Sequence, residues 1–581
     1  MENIGNTKLD NTNKSKTGRK KDNIREYYDI KDDKLYCKLS NCDKAYSGTT
    51  SLYALRDHIK YFHGNMLSKN NNNNNMDNSI NNNMNNIINK NDAINETFLE
   101  QENKIYHSFA IAFSKNSLPY SLFEDKYFIN ALLLINKNIK LSKSKLKDTI
   151  ISEGEIVKNT TINMLSINRQ PVTLALDGWT NVRNNKVINI LLICSGVAYY
   201  FASIENQNNH TNSEWLVNII EEKLNFLINK GLNIIAITTD NENLMKSVKN
   251  KLNKKFPVLI IIPCSAHILN LCLKKICTID RIKELINDTV DVINSIKNNI
   301  SLKIKLIELQ KKDNIKEPLK LIRPVETRWT SLIISIERIL KLQKYIEIIV
   351  EKDGKYWSEL NSFYDFIKLF NSSINSIQRD DATLYSFWKN FENIINFYKS
   401  QTNHAIFQNI AENIITCITD KWNDHININI IEAVRLFSLE KNFKYSKKTV
   451  EFINEWGSNY LYEYKIVDEK KIDDIKKELH LQFSEFISRN NEFKFINSEN
   501  DKLENTYKQQ NKTYNTKLIW AQFLHLYYEL SNIAMALLSI CPSEACVERS
   551  FSIQSYVHSL ERNRLSNDMI NAEMNIKMNV K

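Results

Sequence analysis

The stretch "VTLALDGWT", residues 172–180, decides how this chain folds. Apolar and β-branched residues run into an acid, Asp177, just ahead of a Gly turn, which reads as a strand ending in a carboxylate. "NIIAITTD" (233–240) repeats the same grammar and ends on Asp240. Between them, "KVINILLICSGVAYYFASI" (186–204) reads as strand broken by Gly196. "SEWLVNIIEEKLNFLINKG" (213–231) reads as a helix, with Ser213 as N-cap and Gly231 as its stop. After Asp240 come a helix in "NLMKSVKNKLNKKF", a short buried strand in "PVLIIIP" (257–263) and a helix from "CSAHILNLCLKKI". This alternation predicts an α/β core with parallel elements. Catalytic groups of such sheets commonly sit outside the strand termini. A lone aspartate there is more often a turn or helix cap, so two in one setting leave cap and site equally open.

On either side of this core the pattern is helical. Residues 96 to about 165 carry apolar positions at helical spacing, as in "YFINALLLI", and about 280 to 530 is almost all helix. Ile282, Leu285, Ile286, Thr289, Ile293, Ile296 and Ile300 mark one apolar face. The polar, Asn-rich stretch near 489–516 reads as a surface loop. Residues 65–95 are an Asn-rich linker, too poor in apolar surface to offset chain entropy. Residues 1–24 include "KSKTGRKK", which reads as a nuclear import signal, a phosphate-contacting arm or a solvated disordered tail.

Bulk properties fit a soluble, multi-domain chain. Its 581 residues suffice for three or four domains of roughly 150 each. Lys and Arg number 78 against 67 acids, a net charge of +11 that suits a polyanionic partner without requiring one. Nine cysteines and a polar start imply neither a disulfide framework nor a secretory signal. The longest apolar stretch, "VINILLICSGVAYYF", contains Asn189 and is too short to span a bilayer.

Cys37, Cys42, His58 and His63 give C-x4-C-x15-H-x4-H, a ligand set suited to tetrahedral structural zinc. "YCKLSNCDKAYSGTTSLYALRDHIKYFH" resembles the BED-type zinc finger, through its paired cysteines, its Gly48–Thr49 turn, Leu55 and the final His. That resemblance implies DNA binding. A zinc-pinned helix can present Lys44, Arg56 and Lys60 to phosphates. The finger's usual aromatic start is represented only by Tyr27, Tyr28 and Tyr36.

"DGWTNVRNNKVINILLI", "ITTDNENLMKSV", "PCSAHILNLCLKKI" and "VETRWTSLI", in this order, resemble the hAT superfamily of DNA transposases. "CPSEACVERSFSIQSYVHSLERNRLSNDM" (541–569) resembles its C-terminal dimerisation segment. The likeness covers about 170–340 and 515–577. It implies an RNase H-like core interrupted by a large all-helical insertion domain, plus the small N-terminal zinc finger. The domain map is then a 25–64 finger, a 96–168 helical DNA-binding or intertwining region, a 169–280 first part of the core, a 281–515 insertion, and a 516–581 last part with the dimerisation region. It also implies an Asp, Asp, Glu triad of Asp177, Asp240 and Glu548. Glu548 is expected in a buried helix, where a divalent cation would offset the cost of its burial. Oxygen-rich carboxylates suit Mg²⁺ or Mn²⁺, and two such ions support phosphodiester hydrolysis and transesterification.

Other residues carry over singly. His267, with Cys264, matches a C-x-x-H motif near the scissile phosphate. Trp329 matches a residue that stacks a flipped base, Trp179 is a candidate for the same role, and Arg328 for phosphate contact; buried core tryptophans and an Arg328–Glu326 pair are the alternatives. Arg562, Arg564 and His558 either bind DNA or seat the final helix. Val547 stands where the family usually has Ser, and Glu326 where Pro or a small residue is common. The implied protein is a nuclear, double-stranded-DNA-binding transposase that works as a homodimer or higher oligomer. The alternative is a domesticated, catalytically silent zinc-finger regulator of transcription.

Overall fold

A computed structural model describes residues 28–31, 34–38, 45–47 and 100–580, apart from 138, 207–211, 241–242, 326–328, 401–407, 426, 468–469 and 511–513. The chain divides into two units, Met1–Phe98 and Leu99–Lys581. In the first, β1 (Tyr28–Lys31), β2 (Lys34–Cys37) and β3 (Ala45–Ser47) form an antiparallel meander. β2 alternates Lys34 and Tyr36 outward with Leu35 and Cys37 inward, the period-2 pattern of a half-buried strand. Of the expected zinc ligands only Cys37 is described. Cys42, His58 and His63, and the basic residues Lys44, Arg56 and Lys60, lie outside the described residues.

The second unit is built on a five-stranded sheet. Its strands are β4 (Pro171–Thr180), β5 (Lys186–Cys194), β6 (Val197–Asn206), β7 (Asn233–Thr239) and β8 (Ile260–Pro263), ordered β6-β5-β4-β7-β8. β4, β5 and β6 are antiparallel, whereas β7 and β8 run parallel to β4. The expected parallel elements are therefore confined to one half of the sheet. The β5–β6 hairpin turns at Ser195 and Gly196, both left-handed (φ 50° and 79°), the geometry whose twist matches paired strands.

Before the sheet come α1 (residues 100–116), α2 (Lys126–Ile135) and α3 (Lys143–Ile167). α4 (Ser213–Asn229) crosses from β6 to β7, and α5 (Asn243–Lys255) from β7 to β8. Asn212, one residue before the expected Ser213, caps α4 by accepting from the Trp215 amide at 2.8 Å. α6 (Ser265–Cys277) follows β8. Helices then run from Asp280 to Leu537, and α7 (Ala545–Val557) and α8 (Asn567–Asn579) return to the sheet. Of the apolar stripe read from 282 to 300, Ile300 is the exception. It is 72% exposed, because Asn299 ends one helix and caps the next.

Both faces of the sheet are covered. Leu174, Leu176, Ile190 and Leu192 pack with α4 and α5, while Ala175, Leu191, Ile193 and Tyr200 pack with Cys546, Val547, Val557, Ile570 and Met574. Asn189 is the polar break in β5. It is buried, and its Nδ2 donates to Ser550 Oγ (2.9 Å) and Gln554 Oε1 (2.8 Å) on α7. The edge strand β6 is closed by asparagines of α8: Asn571 Oδ1 accepts from Ser203 N and Asn579 Oδ1 from Tyr200 N. Covering an edge in this way removes a template for strand addition.

The 489–516 region is a correction. It contains a short 3₁₀ turn, Asn491–Phe495, and a helix, Ile496–Gln509. Phe493 and Ile496 are fully buried, and Phe493 stacks on Tyr527 with ring centres 4.0 Å apart, so two apolar anchors outweigh the polar composition. Among the described residues, no helix is long and apolar enough to cross a membrane.

Arg562 seats α8. It donates to both oxygens of the fully buried Glu573, which also accepts from the Tyr120 hydroxyl. Arg564 is exposed. Arg562→Met should lower the stability of the full chain by about 3–5 kcal/mol, because one uncompensated charge stays buried. Adding Glu573→Met should restore most of that loss. Urea unfolding of the wild type, single and double variants checks this.

Candidate carboxylate site

The sheet register sets the first two acids side by side. β4 and β7 pair in parallel, with Ala175 opposite Thr238. Carried two residues beyond that last bonded pair, the same register brings Asp177 level with Asp240, which follows the end of β7. Alternation puts Asp177 on the face of Thr173 and Ala175, and Asp240 on that of Thr238. Asp177 does not end its strand as expected, since β4 continues to Thr180 against β5. It lies level with the end of its parallel neighbour β7 instead. Both aspartates are half-buried, and Asp177 Oδ1 accepts from the Gly178 amide at 2.7 Å.

The segment before α7 crosses this same face. The Cys541 amide donates to Thr173 Oγ1 (3.1 Å), and Thr238 Oγ1 donates to the Cys541 carbonyl (2.6 Å). The Pro542 carbonyl then accepts from the Ser265 amide at 2.8 Å, at the start of α6. Cys264, just before Ser265, donates its own amide to the Thr239 carbonyl at 2.7 Å. These four bonds bring α7 to the ends of β4, β7 and β8. Asn189, Ser550 and Gln554 then fix the rotation of α7 against the sheet.

Glu548 is exposed in the first turn of α7, which corrects the expectation of a buried helical glutamate. The buried acid is Glu544, one turn earlier and 3% exposed. Burial pushes the Glu544 carboxyl well above the usual range, and the charges of Asp177, Asp240 and Glu548 push the same way. The charges of three carboxylates thus bear on Glu544 at this edge. Glu544 escaped the sequence reading, although an acid four positions before Glu548, inside the small and apolar run "CPSEACV", marks one face of one helix turn.

The remaining candidates divide. His267 is half-buried in the first turn of α6, three residues after Cys264. The Cys264 thiol is buried, lies 3.9 Å from Ser543 Oγ, and is pushed up by burial and by Glu544. Trp179 stacks on Phe551 of α7, with ring centres 5.5 Å apart and planes 21° from parallel. Trp329 opens the helix Trp329–Lys341; its side chain, together with Glu326, Thr327 and Arg328, lies outside what is described.

Among the described residues, no three His, Cys, Asp or Glu side chains already close on a single metal-sized point. The donor chemistry nonetheless fits a hard divalent cation: four carboxylates share one edge, and Glu544 Oε2 is buried without a hydrogen-bond partner. Carboxylate oxygens are the ligands such ions prefer.

Three family models match the chain. A domain of unknown function (DUF659) matches residues 141–292, the ZBED1 RNase-like helical domain 262–365, and the hAT family C-terminal dimerisation region 499–580. Together they identify the chain as an hAT-family transposase-like protein. The last match supports oligomerisation. No curated protein matches the chain.

His558 closes α7. It is buried, and its Nε2 lies 3.4 Å from the Asn563 carbonyl. Arg183 donates to the carbonyls of Asn563 (2.7 Å) and Leu565 (2.6 Å), tying the same loop to the β4–β5 turn. Burial holds the His558 imidazole below the usual histidine range; Arg183 and Arg562 act with it, the Asn563 carbonyl and Glu205 against. A depressed folded-state pKa means that the unfolded chain takes up the proton first. Its contribution is therefore present above about pH 6.5 and lost as pH falls through the folded value. Thermal melts between pH 7.5 and 5.5 should show wild type losing more stability than His558→Gln.

Proposed function

We propose that the chain is a DNA transposase that cleaves and transfers strands through Asp177, Asp240 and Glu548. The carrying observation is that the β4–β7 register brings Asp177 level with Asp240 while the Cys541 bonds to Thr173 and Thr238 carry the start of α7, with Glu548, over the same sheet face. An antiparallel β4–β5–β6 meander followed by parallel β7 and β8 is the topology of an RNase H-like core, and the helices between Asp280 and Leu537 form its insertion. Asp177, Asp240 and Glu548 would hold divalent cations, Mg²⁺ or Mn²⁺, and such ions when bound would polarise a water and stabilise the leaving oxyanion. The chain's own part is positional. The sheet fixes Asp177 and Asp240, α7 brings Glu548, and His267 stands at the adjoining helix start to contact the scissile phosphate.

Substrate binding is assigned to both units. Zinc held by Cys37, Cys42, His58 and His63 would fold a DNA-binding finger presenting Lys44, Arg56 and Lys60. Arg328 and Trp329 would hold DNA near the acids. Trp179 is better suited to fastening α7 through Phe551 than to stacking on a base. The net charge of +11 favours a polyanion. Tyr556 and Leu560, both more than 70% exposed within the matched dimerisation region, offer apolar surface for a second copy. Such a protein would act in the nucleus.

The test is strand cleavage. Wild-type protein, Mg²⁺ or Mn²⁺, and DNA carrying the repeats that flank the coding region should yield breaks. Asp177→Asn should cut at least about a thousandfold more slowly, because several kcal/mol of charge stabilisation depend on the site. Metal-independent DNA binding without breaks in either chain would instead favour a silent regulator.

A further inference from the structure

Glu544 holds the N-cap position of α7 but makes no capping bond with its side chain. The Ala545 amide is taken by Ser543 Oγ instead (3.1 Å). Its structural duty is therefore already filled. The side chain is 97% out of solvent's reach by its 3% exposure, yet Oε2 has no partner. A buried carboxylate oxygen left unbonded is costly and calls for an explanation.

Its surroundings supply one. Along α7, Glu544 and Glu548 are one turn apart and share a face. Across the sheet edge, Glu544 lies beside Cys264, whose amide is bonded to Thr239, the residue before Asp240. Asp177 is level with Asp240 by strand register. Glu544 is thus the buried member, and Glu548 the exposed member, of the acid pair at the start of α7. Burial and the charges of Asp177, Asp240 and Glu548 all push its carboxyl up, and a hydrogen bond from Cys264 opposes them.

We propose that Glu544 is a fourth carboxylate of the cation site, contributing its unpartnered oxygen as the inner ligand while Glu548 serves as the outer one. The proposal rests on the metal-dependent reading above and extends it to a residue outside the expected triad. A glutamine has the same shape, so Glu544→Gln separates charge from packing.

The experiment titrates Mn²⁺ into the full-length chain, with the free ion followed by electron paramagnetic resonance. Wild type, Asp177→Asn, Glu544→Gln and Glu544→Asp are compared, with melting curves recorded in EDTA. Glu544→Gln should bind Mn²⁺ about tenfold or more weakly, in the range typical of lost metal-site partners. Its EDTA melting midpoint should equal or exceed that of wild type, since one repelling buried acid is gone. Should Glu544→Gln fail to fold, Glu544→Asp carries the test, and its shorter arm should also weaken binding. Wild-type affinity in a folded Glu544 variant, with affinity lost in Asp177→Asn, overturns the role of Glu544 and leaves the triad standing. Equal Mn²⁺ binding by wild type and Asp177→Asn overturns both the proposal and the reading beneath it.

Discussion

Two threonine hydroxyls carry the architecture. Thr173 on β4 and Thr238 on β7 grip the amide and the carbonyl of Cys541, so one residue is clamped across neighbouring parallel strands. Everything C-terminal depends on that clamp. Pro542 can reach Ser265, α7 can lie over Ala175 and Leu191, and Glu544 and Glu548 can approach Asp177 and Asp240. The helical middle shares one core with β7, β8 and α6: Trp520, Phe437 and Phe486 belong to the same cluster as Ala236, Ile260 and Ile262, and Trp456 donates to the Val258 carbonyl. Asn189 supplies the second constraint: its bonds to Ser550 and Gln554 are polar and directional, so they fix which face of α7 meets the sheet.

The consequence is an electrostatic conflict held in place by packing. Like charges crowded at one edge disfavour ionisation, and burial of Glu544 sharpens the effect. The nearest cation on α7, Arg549, is turned away to Asp380 and the Gln378 carbonyl, on the helical middle. A chain selected only for stability would place neutral groups there. Local conflict of this kind is expected where a site must later receive positive charge. By contrast, the Arg562–Glu573–Tyr120 group is satisfied internally and holds α8.

What was legible in the amino-acid sequence was local. Short apolar, β-branched runs located β4, β7 and β8, and the shared strand-to-acid grammar singled out Asp177 and Asp240. The Gly196 break falls at a hairpin turn, and helical spacing anticipated the burial of Ile282, Leu285, Thr289, Ile293 and Ile296. What failed was set by distant partners. Asp177 was placed at a strand end, but β5 extends the pairing of β4 to Thr180. The 489–516 segment was read as loop because its polar surface hides the buried Phe493. Glu548, expected to be buried, is exposed, and the buried acid is Glu544, which the sequence reading did not single out. Composition cannot tell which of two acids one turn apart faces inward, because the Cys541 clamp and the Asn189 contacts decide it from several hundred residues away.

The account stands or falls on whether these acids share a cation. The most direct measurement is a crystal structure of the full-length protein grown with Mn²⁺, with anomalous scattering used to locate the metal. The account predicts an anomalous peak between the Asp177 and Asp240 carboxylates, bordered by the first turn of α7. A map with no peak there, and with the α7 glutamates turned away from both aspartates, would contradict it.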